Sequence, residues 1–351
     1  MIVVIADDLS GAAELTGAAL RHGLSAEVQT SFDPGSDAEV VCVDTDSRAL
    51  APAAARDRVA EVARRVVAAK PAWIFKKCDS VLRGSVLAEA RAVATAAGQA
   101  RILLVPANPS RGRTIRDGIY RIEGRPLHET PFAHDPTHPR WTAEVRALLG
   151  GDLSGVSLPD IAAASDVLIQ AGHIDASTLP AGGLDFFSAL LAARTPAGTA
   201  FVPPAPPASS TLVVCGSQAS WPRRAQEAGA RDVPVFPLPH DLPAAVRAMG
   251  SGQTVLIGIG DGPTTREVPP PILAARLAQS VVAILDTLPV ERLLLEGGAT
   301  SAAVIGAFGW TRLRAEQPAD SGIGVLRPMA KSAPLLVVKP GSYAWPAAFW
   351  P

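Results

Sequence analysis

Cysteine is scarce in this 351-residue sequence: there are three, standing far apart at Cys42, Cys78 and Cys215. An odd, unpaired set cannot staple a disulfide scaffold and offers no zinc-knuckle spacing, which points to a reducing, cytoplasmic setting. An excess of one charge sign is missing too, since 32 Lys and Arg stand against 33 Asp and Glu, for a formal net charge of -1. Nothing in that balance recommends nucleic acid or an anionic membrane as a partner. No apolar run approaches a membrane span, and Met1 opens straight into the strand-like Ile2-Val3-Val4-Ile5-Ala6 without a basic leader. Internal repeats are absent. So are a GxxxxGK[ST] phosphate loop, a protein-kinase signature and the GxSxG elbow of a hydrolase. Gly258-Ile259-Gly260-Asp261-Gly262 is only a fragment of a dinucleotide loop and reads as a structural turn, which counts against a nicotinamide-dependent dehydrogenase.

What the chain has is apolar material, 48% of its residues, enough for two interiors at this length. Short apolar runs at Ile2–Ala6, Glu39–Val43, Ala72–Phe75 and Ile102–Val105 alternate with helical patterns at 11–22, 53–69 and 86–97. The same alternation returns in runs at 211–215, 254–259, 292–295 and 335–338, with helices between. Strands apolar on both faces, separated by helices, predict an α/β fold of two domains, each a mainly parallel sheet flanked by helices, with a cleft between them. The proline-dense stretch Pro196–Ser210 reads as the linker, giving domains at 1–200 and 211–351. Residues 106–139 lose periodicity and read as a long loop, of the kind that is either functional or disordered. Arg64-Arg65 and Arg223-Arg224 read as solvated helix faces, and the six tryptophans as packing residues.

Chemistry-bearing residues gather where the front-half strands end. Asp7 and Asp8 follow the first run; Asp44, Asp46, Ser47 and Arg48 the second; Lys76, Lys77, Asp79, Ser80, Arg83 and Gly84 the third; Asn108, Arg111 and Arg113 the fourth. In open parallel sheets ligands bind outside the carboxyl ends of the strands, so these tips are expected to share one crevice. Charged tips are common on any solvated loop, but four in succession carrying both signs are not. Adjacent carboxylates at Asp7 and Asp8 leave one for a helix start and one to orient a hydroxyl, accept its proton or hold a metal. Lys77 and Arg83 suit a carboxylate or a moving phosphoryl group. In the back half, Cys215-Gly216-Ser217-Gln218, Glu296-Gly297-Gly298-Ala299-Thr300 and Lys339-Pro340-Gly341-Ser342 are glycine turns that present backbone amides to a phosphate. His128, His134, Asp135 and His138 match no helical ligand spacing and are not expected to form a zinc site.

Taken together these segments resemble the four-carbon acid sugar kinase family. The matching pieces are IADDLSGA at 5–12, DTDSR at 44–48, KKCDSVLRGS at 76–85, PANPSRGRT and DGIY within 106–120, CGSQ at 215–218, EGGATSAAVI at 296–305 and KPGSY at 339–343. The resemblance implies ATP-dependent phosphorylation of a small sugar acid in the interdomain cleft, with Mg²⁺ bridging the phosphates, and admits a homodimer. It implies Asp8, with Asp7 as second choice, and Arg83 as catalytic residues, and Asp7, Asp8, Lys77, Asp79, Ser80, Arg83 and Gly84 facing the acid. Ser217, Gly297, Gly298, Ala299, Thr300 and Gly341 would line the nucleotide site. The chain departs from the family pattern at Val81 and Ser85, where Thr and Asn are usual, and at Leu326–Lys331 and Ala344, where glycines are expected. A ligand-binding or regulatory protein of the same fold that has lost phosphoryl transfer is the alternative reading.

Overall fold

The computed structural model describes residues 1–135, 138–194, 210–218, 220–262, 265, 267–317, 322–341, 345 and 349–350. The expected linker, save Ser210, lies outside the described residues, as do Ser342, Tyr343 and Ala344. The front half runs β1 (Ile2–Ala6), α1 (Leu9–Arg21), β2 (Ala26–Gln29), β3 (Val40–Asp44), α2 (Pro52–Ala68), β4 (Trp73–Lys77), α3 (Val86–Ala97) and β5 (Arg101–Val105). Three short strands follow, β6 (Arg113–Arg116), β7 (Ile119–Ile122) and β8 (Arg125–Pro126). Then come α4 (Val145–Leu149), β9 (Val156–Ser157), α5 (Ala164–Gly172), β10 (Thr178–Gly182) and α6 (Leu184–Arg194). The back half holds β11 (Thr211–Cys215), α7 (Trp221–Gly229), β12 (Val235–Pro237), α8 (Leu242–Gly250), β13 (Val255–Gly258), α9 (Pro270–Leu285) and β14 (Arg292–Glu296). It ends with α10 (Gly298–Ala307), β15 (Arg312–Gln317), β16 (Gly324–Pro328) and β17 (Leu335–Lys339).

Among the described residues, the front block orders its strands β2-β3-β1-β4-β10-β5-β9 and the back block β12-β13-β11-β14-β17-β16-β15. Each block is parallel except at β16, which runs antiparallel to both β15 and β17. The α/β architecture is therefore the expected one. What the residue pattern did not announce is that the two blocks join edge to edge into one sheet of fourteen strands. Antiparallel pairing of β15 with β2 makes the seam, Leu313 facing Val28 and Arg314 facing Glu27. Arg312 closes it by reaching Glu27 and Asp33, each at 3.0 Å. These edge strands carry charge rather than an apolar run, so sequence periodicity passes over them; their polar groups are satisfied by partners far away in the chain.

The loop expected over 106–139 contains instead the antiparallel ladder β6-β7-β8. Its two turns are built by Asp117-Gly118 and Glu123-Gly124, all four residues at positive φ, the backbone that a tight two-residue hairpin needs. The Asp-Gly pair was the legible signal for it.

β1 sits between β3 and β4, and β11 between β13 and β14, so each block reverses its winding at its own first strand. Crevices open at such switch points. Helix α1 packs against both blocks, lying on β15 and β16 as well as on β2 and β3. The contact is close: a β-carbon at Gly324 would overlap Ala13, whose Cα would lie 3.1 Å away. Gly324→Ala is expected to lower stability by about 1–3 kcal/mol through overpacking, read as a shift in the denaturant midpoint. No helix among the described residues is long and apolar enough to cross a membrane.

Candidate functional site

The cleft begins at the end of β1. Asp8 caps α1, its Oδ1 accepting from the Gly11 N–H at 2.9 Å, which satisfies one of the donors that every helix start leaves open. Its Oδ2 accepts from Ser10 Oγ. The Asp7 carbonyl receives the N–H groups of Ser47 and Arg48, which pins the loop after β3 over the tip of β1. From that loop Arg48 reaches back, Nε to Asp7 Oδ2 and both Nη atoms to the two Asp8 oxygens, all at 2.7 Å. Burial opposes the charge on Asp7, but Arg48, Lys76 and Lys77 outweigh it and hold the carboxyl below its usual range. Burial, opposed by the bond Asp44 accepts from the Asp46 N–H but aided by Asp8, Asp46 and Asp7, pushes the Asp44 carboxyl well above the usual range.

Successive side chains on a strand face opposite ways, and β4 uses this to divide its two lysines. Lys76 goes to the far face and pairs with Glu89 at 2.9 Å; Lys77 turns into the cleft, 3.5 Å from Glu14. Between Lys77 and Asp79, burial pushes the Cys78 thiol up to about 12, so it stays protonated and unreactive. Asp79 accepts the Val81 and Arg83 N–H groups and a two-pronged bond from the Arg83 guanidinium at 3.0 and 2.8 Å. Burial works against its charge, yet Arg83 and Arg48 hold it well below the usual carboxylate range. Arg83 continues to Asp135 at 3.0 Å, drawing the long loop onto the cleft. Asp135 is thus part of an ion pair, and no group of three metal-ligating side chains occurs among the described residues. Arg113 donates to Ser80 Oγ and, like Arg83, lies within 6 Å of the Phe132 ring.

Asp8, Lys77, Asp79, Ser80 and Arg83 all line one small cavity, together with Arg48, Glu14, Arg113 and Pro340. Two expected residues stand outside it. Asp7 lies behind Asp8, with its Oδ1 buried and without a hydrogen bond. Gly84, at φ +78°, packs on the Arg48 backbone, where a β-carbon would come within 3.1 Å of the carbonyl. Arg48 was legible only as one charge among many, because its role depends on three carboxylates that the fold assembles.

The back-half turns meet this cavity directly. Gly297 caps α10, and a β-carbon at Gly298 would lie 2.7 Å from Asp8 Oδ2 and 3.2 Å from Ser10 Oγ. The amino ends of α1 and α10 therefore converge on the same carboxylate, where their dipoles favour negative charge. Pro340, beside Gly341, closes the cavity from the third turn. Ser217, Ser220 and Gly341 are stitched together, Ser220 Oγ donating to the Gly341 carbonyl at 2.6 Å and Ser217 Oγ to Ser220 Oγ at 3.0 Å. Thr300 is buried against Gly216, leaving that glycine no room for a side chain, while Ala299 is exposed on the first turn of α10.

Beneath the turns lies a charged network that the residue pattern did not reveal. Glu296, fully buried, accepts from Arg224 Nε at 2.9 Å, Lys339 Nζ at 2.9 Å and Trp345 Nε1 at 3.0 Å. Arg224 is 1% exposed, so the reading of Arg223-Arg224 as a solvated face fails for its second member. Helix α7 turns Arg224 inward, one residue from the exposed Arg223. Trp345 is likewise a hydrogen-bond donor as well as a packing residue. A larger groove of about 520 Å³ between α9 and α10, with Ala278, Val282, Ala303 and Ala307 among its walls, lies apart from this chemistry.

A family model described as a sugar-binding N-terminal domain matches residues 2–179. A D-threonate kinase from Bordetella bronchiseptica is 38% identical over 157 residues, and the match spans 42% of this chain but 39% of that relative. A 3-oxo-tetronate kinase from Methylobacterium radiotolerans is 28% identical over 413 aligned residues, spanning 97% of this chain and 95% of its own length. A Haemophilus influenzae protein of solved structure shares the fold at a TM-score of 0.70 and 18% identity, with 99% of this chain and 98% of that one covered.

Proposed function

The chain belongs to the four-carbon acid sugar kinase family, and from that premise we propose that it transfers the γ-phosphoryl group of ATP to a hydroxyl of a small sugar acid. The observation that carries the reading is the approach of Gly298 to Asp8. It sets an amide-rich helix start, suited to phosphate, against a carboxylate suited to an acceptor hydroxyl. On this reading residues 1–200 form the half that holds the acid and 211–351 the half that holds the nucleotide.

Phosphoryl transfer asks the protein mainly to align two partners and neutralise spreading charge. Asp8, rather than Asp7, faces the cavity and would orient the acceptor hydroxyl and take its proton. Arg48, Lys77 and Arg83 supply positive charge for the acid's carboxylate and for the moving group. The first-turn N–H groups of α10 have no acceptor within their own helix, so Gly298, Ala299 and Thr300 can give them to phosphate oxygens, with Ser217 and Gly341 alongside. The glycine backbone there fits such a ligand, since a side chain at Gly298 would fill the space before Asp8. Mg²⁺, when bound with ATP, would neutralise the phosphate charge. A cytoplasmic setting and a homodimer belong to the same proposal.

The direct test is ADP release with D-threonate, D-erythronate and 3-oxo-tetronates as acceptors, run beside calorimetric titration with ATP. ATP binding without turnover on any acid would favour the ligand-binding alternative. Gly298→Ala probes the central contact. The fold should survive, because alanine suits a helix start and this glycine is not at positive φ. Turnover should fall by about 100-fold, as expected for a displacement of the reacting groups by about an ångström. An unchanged kcat would break the link between α10 and Asp8.

A further inference from the structure

The guanidinium of Arg48 is wholly engaged by carboxylates. Nε serves Asp7, Nη1 and Nη2 serve Asp8, and Asp79 Oδ1 stands 3.6 Å from Nη1. Asp8 in turn has both oxygens occupied, by Arg48, by Ser10 Oγ and by the Gly11 N–H. Neither oxygen is open to an acceptor hydroxyl while Arg48 stays where it is. The cavity in front of them measures about 30 Å³, space for little more than a water or two and too little for a four-carbon acid. The loop that carries Arg48 is held fast. Its N–H donates to the Asp7 carbonyl at 3.1 Å, and Gly84 packs on its Cα and carbonyl. The side chain is 19% exposed and lines the cavity, so it is the element free to move.

We propose that Arg48 determines specificity by exchanging carboxylates: the acid's carboxylate takes the guanidinium from Asp8, and Asp8 is thereby released to the acceptor hydroxyl. This rests on the phosphotransfer reading above and deepens it. The exchange replaces one two-pronged carboxylate–arginine bond by another, whereas a neutral polyol offers Arg48 nothing of equal strength. The transfer that follows balances simply. The hydroxyl oxygen bonds to the γ-phosphorus, the bond from that phosphorus to the bridging oxygen breaks, ADP leaves with the electron pair, and the hydroxyl proton passes to Asp8. Discrimination between acid and polyol then appears in kcat as well as in KM, because a bound polyol leaves Asp8 occupied.

The test compares D-threonate and D-erythronate with the uncharged threitol and erythritol in the intact protein and in Arg48→Met and Arg48→Lys, each checked by thermal melting. Wild type should turn over the acids and neglect the polyols at saturation. Arg48→Met should lose about 10- to 100-fold on the acids without a matching loss on the polyols, so that the acid-to-polyol ratio in kcat collapses. Arg48→Lys keeps the charge but cannot bridge Asp7 and Asp8 together, and should fall between; it carries the test if the methionine variant does not fold. A wild-type ratio retained in the variants, or acid and polyol turnover falling in step, overturns the role of Arg48 alone. A wild type that phosphorylates none of the acids overturns the phosphotransfer reading, and this inference with it.

Discussion

Replacing Asp8 by asparagine is expected to lower turnover by about 10²–10⁴-fold, the usual worth of a positioned acid–base group, while ATP affinity stays within a few-fold. Asparagine is as good a helix cap as aspartate, so the bond to the Gly11 N–H and the start of α1 should persist. What is lost is the negative charge between the amino ends of α1 and α10, together with the capacity to take a proton. The nucleotide side relies on backbone amides of a different helix, which the substitution leaves in place. Steady-state kinetics beside calorimetric titration with ATP separates the two quantities. Near-normal kcat in Asp8→Asn would remove Asp8 from the chemistry. Asp7→Asn tests the neighbouring carboxylate, which stands outside the cavity and acts through its bond to Arg48.

The second large effect is on stability. Glu296→Ala should destabilise the protein by about 3–5 kcal/mol, because it takes the shared carboxylate out of a buried ion network, leaving Arg224 its pair with Glu227 and Lys339 its bond to the Pro340 carbonyl. Arg224 and Lys339, at 1% and 0% exposure, would each lose a carboxylate at 2.9 Å. Glu296→Gln keeps an acceptor for Trp345 and should cost less. Burial opposes the Glu296 charge, yet Lys339 and Arg224 outweigh it and lower its pKa in the folded state. A group depressed in this way stabilises the fold at pH values above its unfolded pKa. That contribution is lost as the pH falls through the folded value, so the gap between wild type and Glu296→Ala should narrow in acid. Chemical denaturation at neutral and acid pH reads both effects; equal midpoints at neutral pH would show that the network contributes nothing.

The consequence of that network reaches the site. Glu296 is the last residue of β14, and the next residue, Gly297, donates its N–H to the Lys339 carbonyl at 2.8 Å. Lys339 also donates to the Pro340 carbonyl, and Pro340 walls the cavity. Loosening the network should therefore disturb the glycine turns as well as the core, whereas Gly324→Ala, at the α1–β16 contact, strains the packing between the two blocks.

Much of this was legible residue by residue. The apolar runs of β1, β3, β4, β5, β11, β14 and β17 declare buried strands, since only a parallel sheet covered on both faces has use for residues apolar on both sides. Asp8, Lys77, Asp79, Ser80 and Arg83 follow from where such strands end. The glycines of the back half could be placed in turns; in the front half, Gly84 packs on Arg48 and stands outside the cavity. The strands β2, β10, β15 and β16 were not legible. β2 buries Glu27 against Arg312 of β15 in the other half, and a pairing of that kind leaves no mark in local hydropathy.

By itself the sequence determined the two blocks and their polar tips, because alternation of apolar runs and helices is a local property and hydrophobic burial is indifferent to the identity of its distant partner. Only the tertiary structure decided that β15 would pair with β2, that Gly298 would close on Asp8, and that Arg48 would serve three carboxylates while Arg224 turned inward to Glu296. Those outcomes depend on charges and backbone groups meeting across long stretches of chain at distances near 3 Å, and electrostatic and hydrogen-bond energies at that range are set by geometry that no single segment carries.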